Sequence, residues 1–224
     1  MEVNHTIVAG HYGSGKTEYA LHDALQRKGS NIYLCDLDVI NPYFRSRDHQ
    51  EELEAKGVNL VAPKGELLKA DLPIVTGEVA LRIKETESTV IIDVGGNEDG
   101  ATVLGQFAAL IETMPYEFLF VVNVNRPSVA TAEKIIPVIR AIEKNSRLKV
   151  TGLVHNTHLC GEDLSKEDIL EGESVCNEVF EKSGIPLKFT MIEERQYKGL
   201  KEELNFNSNR LIVFKRRLLA PWHV

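Results

Sequence analysis

The chain has 224 residues, of which 43% are hydrophobic and 26% charged, an ordinary composition for one folded domain with a sizeable core. Its formal net charge of −7 argues against non-specific nucleic-acid binding, because that binding depends on lysine and arginine neutralising phosphates. We therefore expect a single domain spanning residues 1–224.

The cysteines and the N-terminus favour a cytoplasmic protein. Cys35, Cys160 and Cys176 are odd in number and form no C-x-x-C pair, which fits a reduced compartment better than a disulfide scaffold. We expect Cys35 and Cys176 in the core. The N-terminal residues M-E-V-N-H do not resemble a signal peptide, and no apolar run approaches the roughly 20 residues that span a bilayer.

Short β-rich apolar runs alternate with helical stretches along the whole chain. The predicted strands are 5–9, 31–35, 58–62, 89–94, 118–124, 149–155 and 187–192. The predicted helices are 17–28, 44–56, 73–85, 101–112, 128–143 and 166–183, and we expect Pro137 to kink or split the fifth. Continuously apolar strands indicate burial on both faces. The sequence thus predicts an α/β fold of three layers, with a mostly parallel central sheet flanked by helices.

Residues 10–17, G-H-Y-G-S-G-K-T, lie between the first strand and the first helix and fit the phosphate-binding pattern G-x-x-x-x-G-K-[ST]. The glycines let backbone amides curl around a phosphate, and the helix directs its positive dipole end at the same anion. We expect Lys16, on a solvent-facing loop, to bind phosphate oxygens and Thr17 to ligate Mg²⁺. The predicted nucleotide-binding residues of the loop are Gly10, His11, Tyr12, Gly13, Ser14, Gly15, Lys16 and Thr17.

Carboxylates end the second and fourth predicted strands. Asp93 has the position of a Walker B carboxylate that holds Mg²⁺, usually through water, and Gly96 suits a switch glycine whose amide contacts the γ-phosphate. Asp36 and Asp38 are two residues apart, and such a pair can help hold the metal or orient an attacking water. A Rossmann-type contact between Asp36 and a ribose is excluded, because the pattern G-x-G-x-x-G requires glycine at position 18, where this chain has Glu18. The alternative is that these carboxylates only form turns and caps.

These motifs together resemble the MinD/ParA/CobQ-type P-loop ATPases of the SIMIBI class. The resemblance covers about residues 3–195 and rests on G-H-Y-G-S-G-K-T, D-L-D-V-I-N-P-Y-F, I-I-D-V-G-G and V-V-N-V-N-R-P-S. It implies a P-loop NTPase fold, Mg²⁺ and ATP as cofactors, a homodimer closed by ATP, and a protein client. It further implies that Lys16 and Asp38 are catalytic, with Asp38 orienting water, and that Thr17, Asp36 and Asp93 form the metal region.

One position departs from this resemblance. The family often has a second lysine directly after the first loop glycine, and His11 stands there in this chain. Histidine is shorter and largely neutral at pH 7. Either hydrolysis is slow, or another cation takes the place of that lysine, with Arg45, Arg47 and Arg126 as candidates.

Asn156 follows the predicted strand 149–155, and the resemblance implies that it reads a base edge. The chain continues with T-H-L after Asn156, whereas a guanine-reading N-K-x-D would supply a lysine and an aspartate. We therefore favour ATP over GTP. A plain loop asparagine is the alternative. His155, His158 and Cys160 are interpreted as incidental loop residues, because their spacing does not support a zinc site.

The C-terminal stretch from Leu211 to Val224 is apolar and basic. It is predicted to be a packed terminal element, and a membrane-binding amphipathic tail is the less favoured alternative. For the whole chain we expect a Mg²⁺-dependent ATPase that acts as a dimerising switch. A small-molecule phosphotransferase or ligase, and an ATP sensor with negligible turnover, remain alternatives.

Overall fold

The computed structural model describes residues 5–38, 49–62, 68–96, 98–159, 162–201 and 210–218, without the side chains of 68–75 and 98. The strands of these ranges are β1 (His5–Gly10), β2 (Ile32–Leu37), β3 (Val58–Val61), β4 (Thr89–Val94), β5 (Tyr116–Val122), β6 (Gly152–His155), β7 (Leu187–Glu193) and β8 (Leu211–Phe214). Their α-helices are α1 (Lys16–Gln26), α2 (Gln50–Ala55), α3 (Leu68–Lys84), α4 (Glu98–Leu104), α5 (Ala108–Ile111), α6 (Ala132–Ser146), α7 (Lys166–Ser183) and α8 (Glu194–Leu200).

The strands form one sheet in the order β3-β2-β4-β1-β5-β6-β7-β8, and each neighbouring pair runs parallel. The predicted parallel sheet is confirmed. Strand β1 lies between β4 and β5, so the loop that follows β1 is flanked by the carboxyl ends of both neighbours. In parallel α/β sheets, ligands bind beyond this edge, where the connections reverse direction.

Buried strand residues alternate between two hydrophobic clusters, one on each face of the sheet. One cluster joins residues such as Ile7 and Phe120 to helices α3 to α7, and it contains the buried thiols of Cys35 and Cys176. The other joins Val8 and Leu119 to helices α1 and α2. Because each fully buried aliphatic side chain stabilises the fold by about 1.5–3 kcal/mol, the two clusters hold three layers together.

Helix α7 has the bounds that the sequence predicts, because both of its ends carry strong signals. Ser165 and Asp168 form a capping box, in which the Ser165 hydroxyl accepts from the Asp168 amide at 3.2 Å and the Asp168 carboxylate accepts from the Ser165 amide at 2.8 Å. Gly184 ends the helix with a φ of 78°, a left-handed conformation that glycine adopts without strain.

Several predicted elements differ from the structure. The stretch 101–112 is not one helix: α4 and α5 are separated by a short 3-10 turn at Gly105–Phe107. Helix α6 begins after Thr131, not at Ser128, and it continues through Pro137 without being split. The strand predicted from 149 begins at Gly152.

Two elements near the C-terminus were not predicted, namely α8 and β8. Strand β8 pairs with β7, and Phe214 joins the core cluster of α1. The prediction of a packed terminal element is therefore confirmed for residues 211–218, whereas residues 219–224 lie outside the described residues. No helix in the described ranges has the length and apolar character needed to cross a membrane.

Candidate functional site

The loop 10–17, which we call the P-loop, connects the end of β1 to the first turn of α1. Gly13 and Gly15 have φ values of 72° and 91°, in the left-handed region that favours glycine. The Ser14 amide donates to the His11 carbonyl at 3.0 Å, which closes a turn inside the loop. This backbone curls over the N-terminus of α1, the geometry in which amides and helix dipole attract an anion.

Three side chains from the loops that follow β5 and β6 hold the P-loop. Asn123, directly after β5, donates to the Gly13 carbonyl at 3.3 Å, and Arg126 Nε donates to the same oxygen at 3.1 Å. Asn156, directly after β6, donates to the Ser14 carbonyl at 2.9 Å. These bonds hold the loop backbone in its curled shape. The sequence places Asn123 in the motif V-V-N-V-N-R-P-S near the end of the predicted strand 118–124, but it does not predict the bond of Asn123 to the P-loop, which joins positions 110 apart.

Lys16 forms an ion pair with Asp38, with 3.1 Å between Lys16 Nζ and Asp38 Oδ2. Lys16 is only 4% exposed and is the first residue of α1, so the expectation that it lies on a solvent-facing loop is wrong. The physical reason is the buried carboxylate, because an ammonium can leave water when an opposite charge compensates it. Asp38 thus connects the end of β2 to the P-loop.

Asp36 and Asp93 lie side by side on β2 and β4, where they are register partners. The Asp36 carboxylate accepts from the Asp38 amide at 3.0 Å and so fixes the turn after β2. Burial raises the pKa of Asp93 to about 8; Lys16 and Thr17 act to lower it, while Asp36 and Asp38 raise it further. Three carboxylates and one lysine therefore lie together in a buried site.

The residues of this site fit a divalent cation. Both Asp93 carboxylate oxygens are buried and have no hydrogen-bond partner among the described residues. The nearby Thr17 hydroxyl helps to lower the pKa of Asp93. In the described part of the chain, no three His, Cys, Asp or Glu side chains form a metal site of their own. The Thr17 hydroxyl and the Asp36 and Asp93 carboxylates suit Mg²⁺, because this ion usually retains several water ligands and binds only a few protein groups in addition to phosphate.

The loop after β4 lies against the P-loop. A Cβ placed on Gly96 would come within 3.1 Å of the Gly10 carbonyl oxygen and of the Tyr12 amide nitrogen, so a side chain there would require the P-loop backbone to shift by a few tenths of an ångström. A Cβ on Gly95 would lie 3.4 Å from Asp38 Oδ1. The loop therefore contacts both the P-loop and the end of β2.

A cavity opens from the P-loop toward the ends of β6, β7 and β8. Tyr12, Gly13, Gly15, Lys16 and Thr17 line it on the P-loop side. The opposite walls contain the apolar residues Leu159, Met191, Phe214 and Leu218 and the polar residues Glu193, Gln196 and Arg216. Arg126, Asn156, Thr157 and His158 lie between the two sides.

His155, the last residue of β6, is buried, His158 in the following loop is half-buried, and both are neutral at pH 7. Burial lowers the pKa of His155 to about 3, and its Nε2 lies 2.6 Å from the Thr157 hydroxyl oxygen. Burial also lowers the pKa of His158 to about 4, with Arg126 and Arg216 adding to the effect. Asn156 uses its amide nitrogen on the P-loop, so its base-reading role stays a prediction.

The structure brings together Lys16, Thr17, Asp36, Asp38, Asp93 and Gly96 on one side of the P-loop, as the strand order requires. His11 and Tyr12 lie at the outer bend, where His11 Nδ1 is 3.1 Å from the Tyr12 carbonyl oxygen. Of the candidate cations, Arg126 reaches the P-loop. Arg45, Arg47 and Cys160 lie outside the described residues.

No family model matches this chain, and no curated protein sequence matches it. Solved structures do match. FtsY from Mycoplasma mycoides aligns over 85% of this chain and 60% of its own, with a TM-score of 0.59 and 20% identity. The signal recognition particle receptor FtsY from Elizabethkingia anophelis, in complex with GDP, aligns over 86% and 58%, with a TM-score of 0.56 and 20% identity.

The signal recognition particle 54 kDa protein from Aeropyrum pernix, in complex with GDP, aligns over 85% of this chain and 41% of its own, with a TM-score of 0.51 and 18% identity. This chain thus spans about 60% of the length of the first neighbours. At such low identity the likeness establishes the fold and not the activity. What the chain shares with these structures is the fold, a parallel sheet flanked by helices, and the matches do not single out the MinD/ParA/CobQ type.

Proposed function

We propose that this chain is a Mg²⁺-dependent nucleoside triphosphatase that acts as a nucleotide-dependent switch, with ATP as its nucleotide. The observation that carries the proposal is the buried cluster of Lys16, Asp38 and Asp93 beside the P-loop. A triphosphate brings negative charge to Lys16 and oxygen ligands to a cation at Thr17 and Asp93. Mg²⁺ would neutralise charge that develops on the transferred phosphoryl group.

Asp38 has the role of orienting the attacking water. Its carboxylate pairs with Lys16, and the phosphate oxygens of a bound nucleotide would compete for the same ammonium. When Lys16 turns to phosphate, the Asp38 carboxylate becomes available to accept a hydrogen bond from a water molecule. Asp36 supports this geometry through the Asp38 amide.

GTP is the second candidate nucleotide, because two of the neighbours with this fold were solved in complex with GDP. The absence of N-K-x-D after β6 favours ATP, so the two nucleotides need to be compared directly. His11 keeps the sensor alternative open, and metabolite-dependent turnover would indicate the phosphotransferase or ligase.

Phosphate release measured with Mg²⁺-ATP and Mg²⁺-GTP tests the proposal. We expect turnover with ATP in the unmodified protein and a decrease of about 100-fold in Asp38→Ala, whose binding of ATP is retained, because general-base groups contribute about 10²–10⁴-fold. Asp163→Ala removes an exposed carboxylate that pairs with Arg195 and serves as the control. Loss of binding in Asp38→Ala with normal turnover of the bound fraction would instead make Asp38 a metal ligand.

A further inference from the structure

The C-terminal segment, residues 211–218, is bound to the first turn of α1, directly after the P-loop. Glu18 follows Thr17, is only 5% exposed, and accepts two backbone hydrogen bonds from the segment. Its Oε1 accepts from the Arg217 amide at 2.9 Å and its Oε2 from the Leu218 amide at 3.0 Å. One carboxylate thus joins the phosphate-binding helix to a segment about 200 positions away in the sequence.

Further contacts hold the segment in the same place. Arg217 Nε donates to the Glu52 carboxylate on α2 at 3.1 Å, and Phe214 is buried in the cluster that contains α1. Arg216 Nε donates to the Leu218 carbonyl at 3.3 Å, which folds the arginine back along the segment. The segment is therefore a fixed wall, held at both its strand and its last described residues.

Phe214, Arg216 and Leu218 of this wall line the cavity that also contains Gly15, Lys16 and Thr17. Leu159 and Met191 line it from the ends of β6 and β7. A cavity with one phosphate-binding end and one apolar end beside an arginine matches a molecule with a phosphate chain and a planar aromatic ring. Guanidinium groups and apolar side chains both bind the face of such a ring.

The charge of the cavity agrees with the same ligand. Arg126 and Arg216 both help to lower the pKa of the half-buried His158, and all three residues line the cavity, so both guanidinium groups lie close to this part of it. Because His158 is neutral at pH 7, the positive charge in this part of the cavity comes from Arg126 and Arg216. A ligand that enters here between arginine and apolar side chains is anionic at one end and flat and apolar at the other.

We infer that the C-terminal segment is the nucleoside-binding wall of the site, with Arg216 and Leu218 contacting the base or ribose of the bound nucleotide. This inference rests on the proposed function. It assigns a ligand-binding role to a terminal segment that the P-loop motif does not include. It also couples nucleotide binding to the docking of that segment through Glu18.

Titration calorimetry with two probes tests the wall separately from the phosphate site. The probes are inorganic tripolyphosphate and whichever of ATP and GTP binds more tightly, each with Mg²⁺. We expect Arg216→Ala to weaken nucleotide binding by about tenfold and tripolyphosphate binding by less than about twofold, because Arg216 contacts the nucleoside. Lys215→Ala removes the same charge from an exposed position on the same segment and is expected to change neither affinity.

Equal losses of affinity for both probes in Arg216→Ala would mean that the arginine contacts phosphate, and this would overturn the inference. No loss of affinity for either probe would also overturn it. A native protein that binds tripolyphosphate as tightly as nucleotide would overturn the nucleoside wall but leave the phosphate site in place. A native protein that binds neither probe would overturn the proposed function and the wall together.

Hydrogen exchange on the unmodified protein gives a second test that requires no variant. The amides of Arg217 and Leu218 bond to Glu18 and report directly on docking of the segment. We expect the nucleotide to slow their exchange and tripolyphosphate to leave it unchanged. The same exchange rate with both probes would contradict the inference.

Discussion

Lys16 and Asp38 form a buried pair whose energy depends on both partners. Each side chain is about 5% exposed, so removing one leaves a buried charge without compensation, which costs about 3–5 kcal/mol. The pair also makes the phosphate site ready for its ligand, because the lysine is held beside the P-loop and not in solvent. When phosphate binds, its oxygens replace the Asp38 carboxylate as the anionic partner of Lys16.

His155 is predicted to make the protein sensitive to acid. Its pKa is about 3 in the folded chain because of burial, against an ordinary value of 6.5. As the pH falls from 6.5 toward 3, the unfolded chain binds a proton at this position and the folded chain does not, so stability is lost. Each unit of pKa difference corresponds to about 1.4 kcal/mol.

We expect the free energy of unfolding to fall between pH 7 and pH 5 more steeply in the native protein than in His155→Gln, which has no titrating group there. Urea denaturation at the two pH values measures both slopes. Equal slopes would mean that burial of His155 does not govern the acid response.

At the scale of elements, α7 packs on the end of β6 through a glycine. A Cβ on Gly172 would lie 2.1 Å from His155 Nε2 and 2.3 Å from the Thr157 hydroxyl oxygen, and both side chains are buried. Alanine is otherwise the better helix residue by up to about 1 kcal/mol. The glycine therefore permits the close approach of α7 to the loop that carries Asn156.

We expect Gly172→Ala to destabilise the protein by about 1–3 kcal/mol, as overpacking of a core commonly does. Gly77→Ala on α3 is the matched control, since no atom of the described residues lies within 4 Å of its added Cβ, and it is expected to raise stability slightly. Thermal unfolding of both variants gives the comparison. A stabilised Gly172→Ala would show that α7 can shift away from β6.

The elements that the sequence predicts well are those with strong local signals. Helix α7 has a capping box and a terminal glycine, and β4 is a β-branched apolar run that ends with Asp93 and Val94, so both were placed with correct bounds. The P-loop was recognised because its residue pattern follows from the backbone it must form. The bond of Asn123 to the P-loop and the bond of Glu18 to the C-terminal segment join positions more than 100 apart, and no local pattern indicates such contacts.

Strand β8 was missed for a related reason. Leu211–Phe214 is only four residues long and is followed by basic residues, so its local pattern does not distinguish a strand from a tail. Its pairing with β7 and the burial of Phe214 depend on tertiary contacts. For Lys16, the sequence places the residue in its motif, but its burial depends on a carboxylate that follows a different strand.

At the scale of the whole molecule, the proposed switch predicts a change of assembly. If Mg²⁺-ATP closes a homodimer, Asp38→Ala should retain ATP and have a larger mass in light scattering with ATP than with ADP. The stretch from Asp38 to Arg47, which includes most of the quoted motif D-L-D-V-I-N-P-Y-F, carries Tyr43 and Phe44, residue types that are enriched in interfaces, but beyond Asp38 it lies outside the described residues. Equal mass in both nucleotides would argue against the dimer and favour the phosphotransferase or ligase.

Calorimetric titration of Mg²⁺-ATP and Mg²⁺-GTP into the native protein and Lys16→Ala tests the central claim most directly. We expect the native protein to bind nucleotide and Lys16→Ala to lose about 2–3 kcal/mol of binding free energy, because a charge-assisted contact to phosphate is removed. Lys28→Ala, which removes an exposed lysine just after α1, should bind as the native protein does. Since the Lys16 variant is destabilised, its folded fraction is measured first by thermal unfolding. Equal affinity in native protein and folded Lys16→Ala would contradict the assignment of the nucleotide site.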